Sequence, residues 1–345
     1  MRIWWMALLA CGFATAAKAE PPHVVASILP VHSITASVME GVGEPALLVP
    51  PGASPHSYAM KPSEAKALSG ADLVIWIGPS ISSFLAKPLK TLAANAAVLT
   101  LVDAKDMHLL PVREGGSFDG HDHAHGHGDH DGHDDHDGDG HKDEHKDEDH
   151  EGHDDHDKHG DHDDHGHSDE RPEEPDLHIW LETHNAEVMA TAIAERLAEV
   201  DPGNAATYRA NAAAFGERMH ALEDRLSSML KPAAGKPFIV FHDAWQHFEK
   251  QFGLTAVGSI TISAEQRPGA RHISRLRSKI SDLGAVCVFS EPQFDGRLVD
   301  TLAHGSDARK AEADPLGDLG AKPGIGYYET SMTKAAEAFR DCLVN

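Results

Sequence analysis

Three histidines occupy positions where a metal site could form. His56 lies in a Pro- and Gly-rich loop after a predicted strand, His178 marks the return of structured sequence after a polar stretch, and His242 directly follows the apolar run 238–241. Three imidazoles from separate elements suit a tetrahedral ion such as Zn²⁺, with a fourth position for a carboxylate or water. Because the three lie far apart in the sequence, their pattern alone also fits scattered structural histidines.

A second group of histidines is concentrated in residues 119–170. This tract contains 16 of the chain's 27 histidines and 22 of its 55 acidic residues, and it has no large apolar residue. A segment without such side chains cannot form a core, so we predict that it is a disordered insertion. Its histidines are His121, His123, His125, His127, His130, His133, His136, His141, His145, His150, His153, His156, His159, His162, His165 and His167.

Three interpretations of this tract are open. The first is a solvating acidic linker. The second is an auxiliary metal-binding or sensing segment, since residues 121–127 place four imidazoles close together. The third is a nickel or copper store, because those ions compete well for nitrogen ligands. We expect any metal held there to bind more weakly than in a preformed site, because binding must order the segment.

The net charge follows the same division of the chain. The formal charge is −25 at pH 7, and the tract contributes −19 of it, so the remainder is only mildly acidic. An acidic protein lacks the basic surface that phosphate binding needs, which argues against a nucleic-acid partner.

The first nineteen residues have the pattern of a secretory signal peptide. Arg2 provides a basic start, an apolar run follows, and Ala17-Lys18-Ala19 is a small-x-small cleavage sequence. The run is shorter than the roughly 20 residues that span a bilayer. We therefore predict an exported, soluble protein whose mature chain begins at Glu20, with lipid attachment through Cys11 as the alternative.

The remaining sequence predicts an α/β fold of two lobes joined by one long helix. Apolar runs that alternate with helical segments are typical of parallel sheets with crossover helices. Apolar residues recur every three or four positions from Tyr208 to Met229, which predicts a helix about as long as a domain is wide. The predicted division is an N-terminal lobe over 20–204 that contains the insertion, a linker helix over 205–232 and a C-terminal lobe over 233–345.

Two cysteines remain once the signal peptide is removed. Cys287 lies in an apolar strand-like run, and Cys342 ends a predicted C-terminal helix. In an oxidising compartment such a pair most simply forms a disulfide. The alternative, a cysteine-ligated metal, lacks a second Cys or His at ligand spacing.

The sequence resembles the zinc-binding members of the metal-binding solute-binding family, which serve high-affinity zinc ABC uptake systems in the periplasm. The resemblance covers essentially the whole mature chain. It is carried by 52–58 (GASPHSY), 178–181 (HIWL), 241–248 (FHDAWQHF), 266–269 (QRPG), 291–294 (EPQF) and 314–317 (DPLG). It implies two α/β lobes bridged by a rigid helix, with the metal in the cleft between them, and it supports the Cys287–Cys342 disulfide.

The resemblance also implies a ligand set. His56, His178 and His242 match the zinc ligands of the family, and Asp314 matches a position that supplies a carboxylate in some members, where others use water. A third histidine favours zinc over manganese. Leu177 departs from the family, in which many members have Pro before the second histidine. From the sequence around the ligands, Asp176 and Asp243 are candidates to hold the imidazoles, although Asp243 could equally cap a helix.

The function that follows is a binding protein and not an enzyme. It would capture Zn²⁺ in the cleft and deliver it, as a monomer, to an integral-membrane ABC permease, with a periplasmic zinc chaperone as a further candidate partner. A zinc hydrolase is one alternative, but the sequence has no His-Glu-x-x-His motif and no evident general base beside a ligand. A secreted metal-buffering or adhesion protein without a transporter is the other.

Overall fold

The computed structural model describes residues 20–113, 118, 171–261, 268–282, 284–317, 320 and 322–345. The predicted signal peptide (1–19), the histidine-rich tract (119–170) and residues 266–267 of the 266–269 motif lie outside the described residues. Within the described part of the chain, no helix has the length and apolar content needed to cross a bilayer.

The first lobe is built on a parallel sheet of four strands in the order β2-β1-β3-β4. β1 and β3 are apolar and completely buried, as expected for strands covered on both faces. The elements are β1 (Val24–Ala26), α1 (Leu29–Val38), β2 (Ala46–Leu47), α2 (Pro62–Ser69), β3 (Leu73–Trp76), α3 (Ala86–Thr91), β4 (Ala97–Thr100) and α4 (Thr183–Val200).

The second lobe repeats this plan with a parallel sheet in the order β6-β5-β7-β8. Its elements are β5 (Pro237–His242), α6 (Gln246–Phe252), β6 (Thr255–Thr261), α7 (Ala270–Asp282), β7 (Cys287–Ser290), α8 (Arg297–Ala303), β8 (Arg309–Glu312) and α9 (Tyr327–Val344). Helix α6 is followed by Gly253, whose φ of 66° is a left-handed conformation that glycine adopts without strain. The two sheets confirm the predicted pair of α/β lobes.

Helix α5 (Ala205–Leu230) lies between the two sheets in the sequence and spans 26 residues. Its buried side chains include Tyr208, Phe215, Met219 and Leu226, which belong to the predicted apolar face. They form part of one hydrophobic core that also contains residues of both sheets, so the helix packs against both lobes.

Helix α9 brings the C-terminus back across the molecule. At its start, the Tyr328 N–H donates to Ser33 Oγ of α1 (3.0 Å), so this end contacts the first lobe. Near its end, Cys342 forms the predicted disulfide with Cys287, the first residue of β7. The Cα atoms are 6.0 Å apart, within the ordinary range for a disulfide.

Candidate metal centre

The topology of the second sheet places two side chains at one edge. His242 is the last residue of β5, and Glu291 directly follows β7, its hydrogen-bonded neighbour. The chain leaves β5 toward β6 on one side and later returns to β7 on the other, so this edge is a switch point of the sheet. Ligands of open α/β sheets bind at such crevices beyond the carboxyl ends of the strands.

The first lobe supplies the other two histidines. His56 lies in the loop that follows β2, and His178 directly precedes a short 3₁₀ turn, Ile179–Leu181, that leads into α4. Two contacts with residues of the second lobe hold this turn, because Trp180 Nε1 donates to the Pro315 carbonyl (2.8 Å) and Tyr328 Oη donates to the Trp180 carbonyl (2.7 Å).

His56, His178 and His242 converge in the cleft. Each ring offers one ligand nitrogen, and these three nitrogens lie within 4.8 Å of one another. Among the described residues, no other group of three His, Cys, Asp or Glu residues forms a candidate metal site. The Nε2 atoms of His178 and His242 are 3.3 Å apart. With Zn–N bonds of about 2.0–2.1 Å, tetrahedral coordination puts two nitrogens about 3.3 Å apart. The spacing therefore fits one edge of a zinc site.

Two carboxylates fix which nitrogen of each ring faces the cleft. His178 Nδ1 donates to Asp176 Oδ1 (2.7 Å), and His242 Nδ1 donates to Glu291 Oε1 (2.6 Å). Because a carboxylate accepts, each Nδ1 carries the proton and each Nε2 presents a lone pair. Between neutral rings, two Nε2 lone pairs at this distance repel each other, and either a metal ion between them or a proton on one Nε2 removes the repulsion.

The electrostatic balance of the site also suits a dication. Asp176 and Glu291 are 6% and 3% exposed. Burial raises the pKa of Asp176, but the contacts with His178 and the charge of His247 together outweigh burial, and the resulting pKa is below its ordinary value, so the carboxylate is ionised. The two carboxylates that accept from the imidazoles provide a charge of −2. This charge balances the charge of Zn²⁺ in a buried site, where water cannot do so.

The ligand histidines have different proton affinities. Burial, followed by the charges of His178 and His242, lowers the pKa of His56 to about 3, so this imidazole is neutral and able to ligate. Burial also favours neutral His242, but the Glu291 carboxylate outweighs it and raises the pKa of His242. At His242 a metal must therefore compete with a proton.

Asp314 lies beside the cleft and outside the three-histidine group. Its Oδ2 accepts a hydrogen bond from Gln293 Nε2 (2.8 Å), and its Oδ1 accepts one from the Leu316 N–H (2.8 Å). Burial raises the pKa of Asp314 to about 6. Ligation by Asp314 stays a prediction, and the sixteen histidines of the tract lie outside the described residues.

The structure separates the two aspartates proposed to hold the imidazoles. Asp176 binds His178 as predicted, whereas Asp243 accepts hydrogen bonds from Arg113, so that expectation was wrong for Asp243. The prediction that Asp243 is the N-cap of a helix is also wrong, because the N-cap position of α6 is occupied by Trp245. Sequence reasoning missed Glu291, although its place directly after a strand adjacent to β5 was a usable signal.

Comparison with known proteins gives consistent matches over nearly the whole chain. A family model described as "Zinc-uptake complex component A periplasmic" (ZnuA) matches residues 24–342. The high-affinity zinc uptake system protein ZnuA of Brucella abortus is 47% identical over 96% of this chain and 94% of its own. The protein of the same name from Paracoccus denitrificans is 39% identical over 97% of both chains.

Solved structures match the fold. A crystal structure of a ZnuA deletion mutant with zinc bound aligns with a TM-score of 0.67 at 22% identity, covering 94% of this chain and 99% of that one. The periplasmic zinc binding protein TroA of Treponema pallidum aligns with a TM-score of 0.69 at 17% identity, covering 94% and 100%. At these identities the likeness shows the architecture of the two lobes.

Proposed function

Because the chain belongs to the ZnuA family of periplasmic zinc-uptake components, we propose that it captures Zn²⁺ in the cleft between its two lobes through His56, His178 and His242. The family consists of binding components and not of enzymes, so the hydrolase alternative does not apply. The observation that carries the assignment is the pair of Nε2 atoms 3.3 Å apart, on two imidazole rings that are each oriented by a buried carboxylate.

The donor set favours zinc over harder ions. Three imidazoles are borderline ligands that suit zinc, whereas manganese prefers carboxylate and water oxygens. We propose water or Asp314 as the fourth ligand. The half-buried carboxylate of Asp314 has its pKa raised to about 6, so a nearby dication would favour its ionised form.

The remaining parts of the proposal concern the protein in the cell. Residues 1–19 direct export, and the mature chain, with lobes at 20–204 and 233–345 around the 205–232 linker, delivers zinc as a monomer to an integral-membrane ABC permease. The tract 119–170 binds further metal ions weakly. These steps are supported by the family membership and by the composition of the tract.

The ligand assignment is tested by zinc titration after deletion of residues 119–170. This variant should bind one zinc ion tightly, and H56A/H178A/H242A in the same background should bind none. The matched control is H23A/H220A/H304A, which removes three exposed histidines instead. A tight site that survives the first triple substitution would contradict the assignment.

Delivery is tested separately with the full chain. Proteoliposomes that contain a zinc ABC permease should accumulate zinc when ATP and the zinc-loaded chain are both supplied. If the loaded chain binds zinc tightly and supports no zinc accumulation through the permease, delivery fails and the protein is a metal buffer.

A further inference from the structure

We propose that Arg113 is a positioning residue of the metal centre, which holds His178 and His242 at the separation that zinc requires. The proposal rests on the zinc site proposed above. It concerns a cluster outside the ligand set, which we call the Arg113 clasp and which consists of Arg113, Asp243 and Glu249.

The clasp joins one guanidinium to two carboxylates. Arg113 donates to Asp243 from Nε (3.0 Å) and from Nη2, and it donates to Glu249 from Nη1 and Nη2 (both 2.9 Å). The Phe118 ring covers the guanidinium, with its centre 4.1 Å from Cζ. Two bidentate pairs on one guanidinium define a single geometry, which an ammonium could not reproduce.

On one side the clasp is tied to His242. Asp243 is the next residue in the chain, so its position fixes the backbone that carries the ligand. Glu249 belongs to α6 and also accepts the Ala256 N–H of β6 (2.9 Å). Both carboxylates are therefore anchored in the framework of the second lobe.

On the other side the clasp is tied to His178. The segment that ends at Arg113 pairs in antiparallel fashion with the segment before His178, since the Val112 N–H donates to the Glu174 carbonyl (2.9 Å) and the Asp176 N–H donates to the Leu110 carbonyl (2.7 Å). Asp176 in turn holds the His178 ring. The path from Arg113 to this ligand therefore consists of two backbone hydrogen bonds and one carboxylate.

A second contact supports the same segment. Gln246 Nε2, at the start of α6, donates to the Pro111 carbonyl (3.1 Å). The segment before Arg113 is thus held to the second lobe at two points, on the side of the cleft where Asp243 adjoins His242. Without Arg113, only the Gln246 contact would hold this segment to the second lobe at these two points. Asp243 and Glu249 would also lose their cationic partner.

The consequence for zinc follows from the geometry. The 3.3 Å separation of the two Nε2 atoms joins ligands from different lobes, so it depends on contacts that fix one lobe against the other. The clasp links the residue next to one ligand with the segment that orients the other. Loss of Arg113 should therefore make the distance between the two Nε2 atoms more variable and weaken zinc binding. The fold of each lobe should be less affected.

The test compares R113A and R113K with the wild-type full chain. Zinc affinity is measured by competition with a chelator strong enough to keep the weak sites of residues 119–170 empty. Variants of residues that orient ligands typically lose about 10–100-fold in metal affinity, and we expect this loss for R113A. We expect R113K to lose affinity as well, because lysine keeps the charge but cannot form two bidentate pairs.

A spectroscopic measurement separates positioning from general stability. Tetrahedral Co²⁺ absorbs strongly in the visible range, so the cobalt-loaded R113A and R113K proteins should show weaker and shifted bands if the site geometry is loosened. The matched control is R209A, which removes an exposed bidentate pair between Arg209 of α5 and Glu195 of α4. It should leave both the affinity and the spectrum unchanged.

The outcomes are distinct. Wild-type affinity and spectrum in R113A would overturn the proposal, and so would full rescue by R113K, because charge alone would then suffice. If R113A does not fold, R113K decides. If the wild-type chain itself has no tight zinc site, the proposed function fails and the role of Arg113 fails with it, whereas a tight wild-type site that is unchanged in R113A overturns the role of Arg113 alone.

Discussion

Glu291 and Asp176 determine how two of the three histidines present themselves to a metal. Each carboxylate accepts the Nδ1 proton of one ring, and this contact fixes both the tautomer and the orientation of the imidazole. The same carboxylates are buried, so their charges act on the site with little screening by water. The affinity for zinc should therefore depend on residues that do not touch it.

The substitution E291Q tests this dependence. Glutamine has nearly the same shape but removes one negative charge and no longer favours the Nδ1–H form of His242, so zinc affinity should fall about 10–100-fold. E329Q is the control, because Glu329 pairs with Arg218 on the surface of α5 and α9. A zinc dissociation constant for E291Q within twofold of the wild-type value, in chelator competition, would contradict this account.

Asp314 should make stability depend on pH in the metal-free protein. Burial raises its pKa to about 6, above the ordinary value of 3.8, so the folded protein holds this proton more tightly than the unfolded chain does. The ionised group therefore destabilises the fold above pH 6, and this destabilisation disappears as the pH falls toward 4. D314N should be more stable than the wild type at pH 7.5, by on the order of 2 kcal/mol.

The local contacts permit this substitution. Gln293 Oε1 has no hydrogen-bond partner among the described residues, so its amide can turn and accept from an asparagine. Urea unfolding at pH 7.5 and pH 5 without metal measures the effect, with D300N at an exposed ion pair as control. A D314N protein that is no more stable at pH 7.5, with the same pH dependence as the wild type, would exclude this role. Zinc titration of D314N also tests the fourth ligand, since an unchanged zinc affinity would exclude ligation by Asp314.

The sequence was most informative where residue type restricts the chemistry. His56, His178 and His242 could be selected from eleven histidines outside the tract because each stands beyond a strand or at a turn. Arg113 could not be selected, because its partners Asp243 and Glu249 lie more than a hundred residues away and one arginine beside a polar tract has no distinctive pattern. Pairings of this kind depend on tertiary structure alone.

At the scale of elements, the sequence predicted the helices and strands whose buried residues form a recognisable apolar pattern. The apolar spacing along α5 and the buried runs of β1, β3, β5 and β7 were sufficient. β8 and α3 were not predicted. The sequence of β8 is Arg-Lys-Ala-Glu, and none of its residues is buried, because it is an edge strand that pairs only with β7. Its place in the sheet comes from backbone hydrogen bonds, which leave no trace in hydropathy.

The disulfide between β7 and α9 should contribute to stability and not to zinc binding. It closes a loop with a sequence separation of 55 residues, which corresponds to about 4 kcal/mol if the effect is entropic. Cys287 begins β7, whereas Glu291 follows its other end, so the metal site lies away from the bridge. The double variant C287S/C342S should unfold at a lower urea concentration and bind zinc with wild-type affinity.

Reduction of the Cys287–Cys342 disulfide provides a second way to obtain the protein without this bridge. Dithiothreitol should lower the urea midpoint of the wild type to that of the double variant and should not change the midpoint of the variant itself. Equal midpoints for the oxidised wild type and C287S/C342S would show that the bridge does not stabilise the fold.

At the scale of the whole molecule, the protein combines two kinds of histidine. The cleft presents three imidazoles held by carboxylates and packing, so little ordering is needed when a metal binds. The tract 119–170 has sixteen histidines and most of the chain's net charge of −25, but no apolar residues that could hold them in place. We therefore expect one strong site and several weak ones, a division that the average composition conceals.

The central claim is that zinc binds between the lobes at the three histidines. Anomalous diffraction at the zinc K edge, from crystals of the full chain loaded with one equivalent of zinc, tests it most directly. The account predicts one dominant peak about 2.0–2.1 Å from a nitrogen of each of His56, His178 and His242. A dominant peak at any other position, with these three rings unoccupied, would contradict it.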